Sequence, residues 1–344
     1  MIPIQNIYYM LSYAFKILNE QGYKNIATEQ FDNVAELCAA ILSKGVSLQI
    51  KRGLGQEYIE QTENMSSLRG KIEISESIKT LSMLKKQLVC SYDEFSVNSY
   101  MNRIIKTTMA LLLNSEISKT RKKELRKLLV FFGEVDTLDI HTINWNIQYN
   151  RNNQTYRMLI SICNLVIKGL LQTNSDGTTR LMDFLDEQRM SRLYEKFILE
   201  YYIKECPQVR ATASQIPWAL DDGINEMLPV MQSDIMLTRG NDVLIVDAKY
   251  YSHTTQTQYD IHTLHSSNLY QIFTYVKNKD TEFGDKPHKV SGMLLYAATD
   301  EVVQPDNVYQ MSGNKISVRT LDLNKDFTDI SAQLNAIVEE HFKN

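Results

Sequence analysis

The sequence lacks every cysteine pattern that would staple a fold or hold a metal. Cys38, Cys90, Cys163 and Cys206 are scattered, with no CxxC pair, so they read as reduced thiols in or near a core. The opening MIPIQNIYYMLSYAF has neither the basic segment nor the long apolar run of a secretory signal, and a cytoplasmic protein is expected. No segment reaches the ~18 uninterrupted apolar residues that a membrane span needs, so no membrane partner is expected. Basic charge is not in excess either. Lys and Arg number 37 against 41 Asp and Glu, a net charge of -4. That argues against a chain gripping nucleic acid over its whole surface, while leaving room for a local basic groove or a partner that supplies the affinity. The phosphate-cradling pattern GxxxxGK[ST] is absent, so no nucleotide-binding site is expected. Internal repeats and low-complexity segments are missing too.

What is present is an ordinary globular composition, 43% hydrophobic and 23% charged, in 344 residues. That length suits two domains, each with a core of normal size. Helical spacing of apolar residues runs over 7–18, 34–42, 101–113, 128–132 and 156–171. Between them, 45–74 alternates and carries glycines. It reads as a hairpin or small sheet whose polar tip contains Lys51, Arg52, Arg69 and Lys71. The basic run Lys119–Lys127 reads as a solvated helix face with Leu125 and Leu128 turned inward. QTNSDGTTR is the most linker-like stretch, which divides the chain into residues 1–173 and 178–344. The second part opens on a helix over 188–205. Strand candidates follow at 211–217, 226–238, 242–250, 290–297 and 315–322, with helices near 267–278 and 329–342. The fold class expected is therefore a mainly helical N-terminal domain with a small β element (α+β), then an α/β domain with a mixed central sheet flanked by helices.

The stretch QSDIMLTRGNDVLIVDAKYY (232–251) places charge where its neighbours are apolar. Alternation along a strand puts Asp247 and Lys249 on one face, with Val246 and Ala248 on the other. A turn at Arg239-Gly240-Asn241 brings Asp234 back beside them. Two carboxylates and an ammonium then share one face, where burial is costly unless they pair or bind a metal. Carboxylates, with the main-chain carbonyl of Ala248 nearby, suit Mg²⁺ or Mn²⁺. A lysine beside such an ion orients water and offsets phosphate charge. Gln271 and Tyr275 stand four apart on one helix face, placed to hold substrate or water. Glu195 on the preceding helix is a further carboxylate candidate. His262 and His265 lack companions at metal-site spacing and read as loop or cap residues.

A carboxylate on one strand, D-x-K on the next and Q-x-x-x-Y on a following helix resembles the PD-(D/E)xK nuclease superfamily, and the last motif is similar to that of RecB-type nucleases. Gln232-Ser233 replaces the superfamily's proline and D-x-K replaces E-x-K, both ordinary variations. Over the whole chain, IPIQNIYYMLSYAF, LSKGVSLQIKRGL, LRGKIEI, MNRIIKTTMALLL, VLIVDAKYY and HSSNLYQ resemble the McrC family, nuclease subunits of modification-dependent restriction systems.

That resemblance implies a Mg²⁺-dependent (or Mn²⁺-dependent) endonuclease with a PD-(D/E)xK restriction-endonuclease-like second domain and Asp234, Asp247 and Lys249 as its catalytic set. It implies an N-terminal half that docks on a McrB-like AAA+ GTPase ring and stimulates it, with Lys51, Arg52, Arg69 and Lys71 as docking candidates. The ring would recognise double-stranded DNA carrying modified cytosine, and this chain would bind no GTP itself. Two alternatives share the motifs: a non-cleaving module that only docks and activates, and a free-standing RecB-type nuclease.

Overall fold

The computed structural model describes residues 2–15, 18, 23, 26, 29, 31–150, 153–173, 187–251, 255–258, 261–301 and 303–343. The expected boundary between 173 and 178 falls outside them. The chain forms two compact units: residues 32–184, and residues 1–31 together with 185–344. The first 31 residues therefore belong with the second unit, not with residues 32–173 as a single break would place them. Helix α1 (Ile4–Ala14) is held there by aromatic stacking and by one amide. Tyr9 stacks on Phe327 at 4.4 Å, and Tyr13 meets Phe197 at 5.6 Å. The buried Asn6 side chain donates to the carbonyls of Leu323 and Lys325, both at 2.8 Å.

The unit over 32–184 is built on α2 (Val34–Arg52), which overturns one expectation. Residues 45–52 alternate like a strand but continue this helix, so Lys51 and Arg52 occupy its last turn and not a hairpin tip. Asn33 caps the start by accepting from the Glu36 N–H, and Cys38, Leu42 and Val46 bury one face at a spacing of four. That long-range burial outweighs the local alternation. The small sheet does exist, further on. It joins β1 (Glu57–Met65), β2 (Lys71–Ile72) and, after α3 (Ile74–Lys79), β3 (Leu88–Ser96), in the order β1-β3-β2.

Helices α4 (Tyr100–Leu113), α5 (Lys119–Leu129) and α6 (Tyr156–Thr173) complete the unit. Asn102, fully buried on α4, fixes the sheet's base by donating to the carbonyls of Gly55 and Val97, both at 2.8 Å, and accepting from Tyr156 Oη at 2.7 Å. On α5 Leu125 turns inward while most of the basic run is exposed. Arg121 is the exception, pairing with the buried Glu36 at 3.3 Å.

The second unit continues with α7 (Glu187–Glu205), β4 (Arg210–Thr212), β5 (Gln215–Ile216), β6 (Met231–Gln232), β7 (Ile235–Arg239), β8 (Asp242–Lys249), β9 (Thr255–Gln258) and β10 (Ile261–Leu264). It ends with α8 (Ser266–Thr281), β11 (Lys289–Ala297), β12 (Asn307–Met311), β13 (Asn314–Leu321) and α9 (Phe327–His341). Six strands form a mixed sheet in the order β12-β13-β11-β8-β7-β4, with β11 parallel to both neighbours and the rest antiparallel. The fold is thus the expected mixed α/β class, with a helical N-terminal region. Strand β12 was not foreseen from the sequence; Val308 is exposed, and an edge strand needs only a weak apolar pattern.

One sheet face packs on α8 through Ile245, Ile272, Val276, Leu294 and Ile316. Contact is close because Gly292 on β11 has no side chain: a Cβ there would lie 2.8 Å from Ile272 Cγ1 and from Val276 Cγ2.

Candidate active site

The β7–β8 hairpin builds the site. Its two-residue turn needs Gly240, whose φ of 61° is a left-handed conformation that glycine adopts at no steric cost. Pairing runs from Arg239 opposite Asp242 to Ile235 opposite Val246. Asp234 stands one step beyond the last pair, where the register brings it opposite Asp247. The Ala248 N–H donates to Asp234 Oδ2 at 2.9 Å. In an extended strand a residue's N–H and C=O face the same neighbour, so the Ala248 carbonyl also faces the Asp234 side.

Asp247 is only 1% exposed, while Lys249, on the same face, keeps its ammonium 2.8 Å from Asp247 Oδ2 and 3.0 Å from Oδ1. That ammonium also donates to Gln271 Oε1 at 3.1 Å, and Gln271 Nε2 donates to Tyr275 Oη at 3.0 Å. Asp247, Lys249, Gln271 and Tyr275 therefore form one hydrogen-bonded line from strand to helix. Glu195 on α7 accepts from Ser191 Oγ at 2.9 Å.

Electrostatics follow from burial. Desolvation, with the Asp234 carboxylate beside it, drives the Asp247 carboxyl up to about 7 despite the Lys249 ammonium. Burial pulls the Lys249 ammonium down, but the Asp247 carboxylate outweighs it and the group ends above its ordinary value. Glu195 is raised first by burial and then by Asp234, which places it within the field of the cluster.

The donor set suits a hard divalent cation. Asp247 Oδ2 is buried with the Lys249 ammonium 2.8 Å away, and a carboxylate oxygen has a further lone pair that a hard cation could take. Asp234 Oδ1 and the Ala248 carbonyl complete an all-oxygen set. Among the described residues no group of three or more His, Cys, Asp or Glu side chains is placed to hold a metal, so such a site rests on two carboxylates and the main chain.

The remaining candidates lie elsewhere or play other parts. Arg69, in the loop before β2, covers the Tyr92 ring at 4.2 Å, and Lys71 on β2 pairs with Glu73 at 2.6 Å, both in the other unit. His265 precedes α8 as its cap residue, with its ring 5.3 Å from that of Tyr251. The His262 side chain lies outside the described residues. All four cysteines are buried and free. No described helix is long and apolar enough to cross a membrane.

Sequence reasoning missed Asn268. Buried one turn before Gln271, it donates to Tyr296 Oη at 3.0 Å and accepts from Tyr251 Oη at 3.3 Å. Tyr296 stands opposite Lys249 in the β8–β11 pairing, so this network borders the site. A polar residue at a core-facing helix position was the available signal.

A family model described as McrBC 5-methylcytosine restriction system component matches residues 5–297. The chain is 30% identical over 348 residues to the type IV methyl-directed restriction enzyme EcoKMcrBC of Escherichia coli (strain K12), covering 99% of each chain. Among solved structures, it is similar to a chain of a half-complex from the tetradecameric assembly of Thermococcus gammatolerans McrB AAA+ hexamers with bound McrC. That match has 18% identity and a TM-score of 0.49, over 97% of this chain and 76% of that one. A second similarity, to a chain of the Thermococcus gammatolerans McrBC complex, has 19% identity and a TM-score of 0.41 over 60% of each. With the family matched across most of its length, this chain belongs to the McrBC 5-methylcytosine restriction system components.

Proposed function

We propose that this chain is the DNA-cutting, McrC-like subunit of a GTP-dependent cytoplasmic restriction complex that cleaves DNA carrying modified cytosine. The observation that carries this reading is the Asp234–Asp247–Lys249 cluster, in which a buried Asp247 carboxylate pairs with the Lys249 ammonium at 2.8 Å and Asp234 stands one step past the last strand pair. A functionless core would gain by replacing such a cluster with apolar side chains. The Escherichia coli relative is named a methyl-directed restriction enzyme, which supports modified DNA as substrate.

Asp234 and Asp247, with the Ala248 carbonyl, would hold Mg²⁺ or Mn²⁺. A cation bound there supplies Lewis-acid stabilisation of the phosphate's developing charge and a more acidic water. Lys249 orients that water and offsets charge on the phosphate oxygens, while Gln271 holds the ammonium in place and Tyr275 holds Gln271. Glu195 borders the cluster as a secondary acid.

The unit over 32–184 is the docking part, directed at an AAA+ GTPase ring whose hydrolysis it stimulates. Its small sheet exposes Tyr58 and Phe95, and the segment between β2 and β3 exposes Ile74, Ile78, Leu81 and Leu84, the kind of apolar side chains an interaction surface presents. Lys71 stands on the same sheet and Arg69 in the loop that leads into it, whereas Lys51 and Arg52, at the end of α2, are weaker docking candidates. The matching family is described as a McrBC restriction system component and the Escherichia coli relative is named EcoKMcrBC, which supports a partner within such a system.

The test is cleavage of methylated and unmethylated plasmid with Mg²⁺, GTP and a McrB-like GTPase from the same organism. Cutting that needs the mark, GTP and both proteins supports the reading. Cutting by this chain alone, whatever the methylation, points to a free-standing nuclease. Faster GTP hydrolysis without any cutting points to an activating module.

A further inference from the structure

A cavity of about 500 Å³ opens at the end of the central sheet opposite the carboxylates. Strand pairing explains its chemistry. Gln310 on β12 pairs with Lys315 on β13, and Lys315 pairs with Ser291 on β11, so three adjacent strands set these side chains in one row on one face. Lys289, two residues before Ser291, projects from the same face. All four line the cavity. Lys289 lies five residues before Leu294, the partner of Asp247, which is roughly 17 Å along the strand.

Two features mark this as more than a solvated edge. Ser291 is 1% exposed and its buried hydroxyl has no hydrogen-bond partner, although the cavity is where it could find one. Neither Lys289 nor Lys315 has a carboxylate within ion-pair distance among the described residues. Both ammoniums act on His341, at the end of α9, whose imidazole is held down at about 4 by burial and by these two charges, against the opposing pull of Asp242, which stands opposite Lys289 in the pairing. The acid on the cavity wall, Asp280, is already satisfied. Its carboxylate accepts from Asn314 Nδ2 at 2.9 Å, lies 3.1 Å from His288 Nε2 and is 3.4 Å from the Lys277 ammonium. Excess positive charge, a donor amide and an unsatisfied buried hydroxyl converge on one opening.

We propose that this cavity is a phosphate-binding site, separate from the catalytic centre, in which Lys289 and Lys315 neutralise the anion while Ser291 Oγ and Gln310 donate to its oxygens. A tetrahedral oxyanion suits several donors converging from one row and its flank. The phosphate has two possible sources, the backbone of bound DNA or a free phosphate or nucleotide. The site stands independently of the nuclease reading, since none of its residues belongs to the cluster around Asp247.

The test is isothermal titration of the full chain, without divalent cation, using inorganic phosphate in one arm and a short unmethylated duplex in the other. Wild type, K289Q/K315Q and S291A are compared, with thermal melts confirming folding; the glutamines keep the stems that pack. Phosphate binding should weaken at least about tenfold in the double variant and severalfold in S291A. If the duplex weakens in parallel and its salt slope falls by about 1 to 2, the phosphate is that of DNA. If only inorganic phosphate weakens, the ligand is small. Undetectable phosphate binding by wild type, or equal affinity in wild type and the double variant, overturns the proposal.

Discussion

Asp234 stands opposite Asp247 one residue past the last β7–β8 pair, so two carboxylates face each other where the ladder has just ended. Their spacing is a consequence of register. Asp234 Oδ2 takes one N–H from the facing strand, and both Asp247 oxygens lie within 3.0 Å of the Lys249 ammonium.

Asp247 sets a pH dependence. Its carboxyl titrates near 3.8 in the unfolded chain and at about 7 in the fold, so between those values the folded state holds the extra proton. Stability of the metal-free protein should therefore fall as pH rises from about 4 to 7, and level off above. Cation and proton compete for the same oxygens, so Mg²⁺ or Mn²⁺ affinity should rise over the upper part of that window. Melts across pH, with and without Mn²⁺, check both signs. A metal-free melting temperature that climbs from pH 5 to 7 and is unchanged in Asp247→Asn would contradict the assignment.

Gly292 is the point where α8 reaches the sheet. Gly292→Ala places a methyl 2.8 Å from two aliphatic carbons that belong to the packed faces of Ile272 and Val276. The expected cost is about 1–3 kcal/mol in stability. Because Ile272 and Val276 adjoin Gln271 and Tyr275, cleavage should fall more than folding does. Denaturant titration alongside a cleavage assay measures the two together, and a variant with wild-type cutting would separate Gln271 and Tyr275 from the chemistry.

Asn6 ties the first helix to the carbonyls of Leu323 and Lys325. Asn6→Ala leaves both acceptors and should destabilise the unit of residues 1–31 and 185–344 by about 1–3 kcal/mol. Hydrogen exchange would place the lost protection in the strands around β8 and in α9, with the unit over 32–184 unaffected. Loss confined to the latter unit would refute the grouping of residues 1–31 with 185–344.

The site was more legible in the sequence than the fold around it. Asp247 and Lys249 interrupt a run from Val243 to Ala248 that otherwise packs a core, and period-two alternation alone puts them on one face. Asp234 followed from a glycine turn expected at Arg239-Gly240-Asn241, which the structure tightens to the two residues Gly240-Asn241. Residues 45–52 misled because Val46, Leu48 and Ile50 alternate locally, whereas the helix is decided by a cap at Asn33 and by burial from Ala35 to Val46. The placement of α1 was invisible for a different reason. Tyr9 and Tyr13 stack on residues about two hundred or more positions away, and no local pattern encodes such a partner. Asn268 was passed over because its hydroxyl partners lie on β11 and just beyond β8.

Division of labour between the two units is the central claim, and one paired measurement addresses it. Asp247→Ala and wild type would each be mixed with the partner GTPase, GTP, Mg²⁺ and methylated plasmid, and DNA cleavage and GTP hydrolysis followed in the same tube. The account predicts that cleavage drops by at least about a hundredfold while stimulated GTP hydrolysis stays at the wild-type rate. A folded variant that still cuts, or one that loses GTPase stimulation together with cutting, would contradict it.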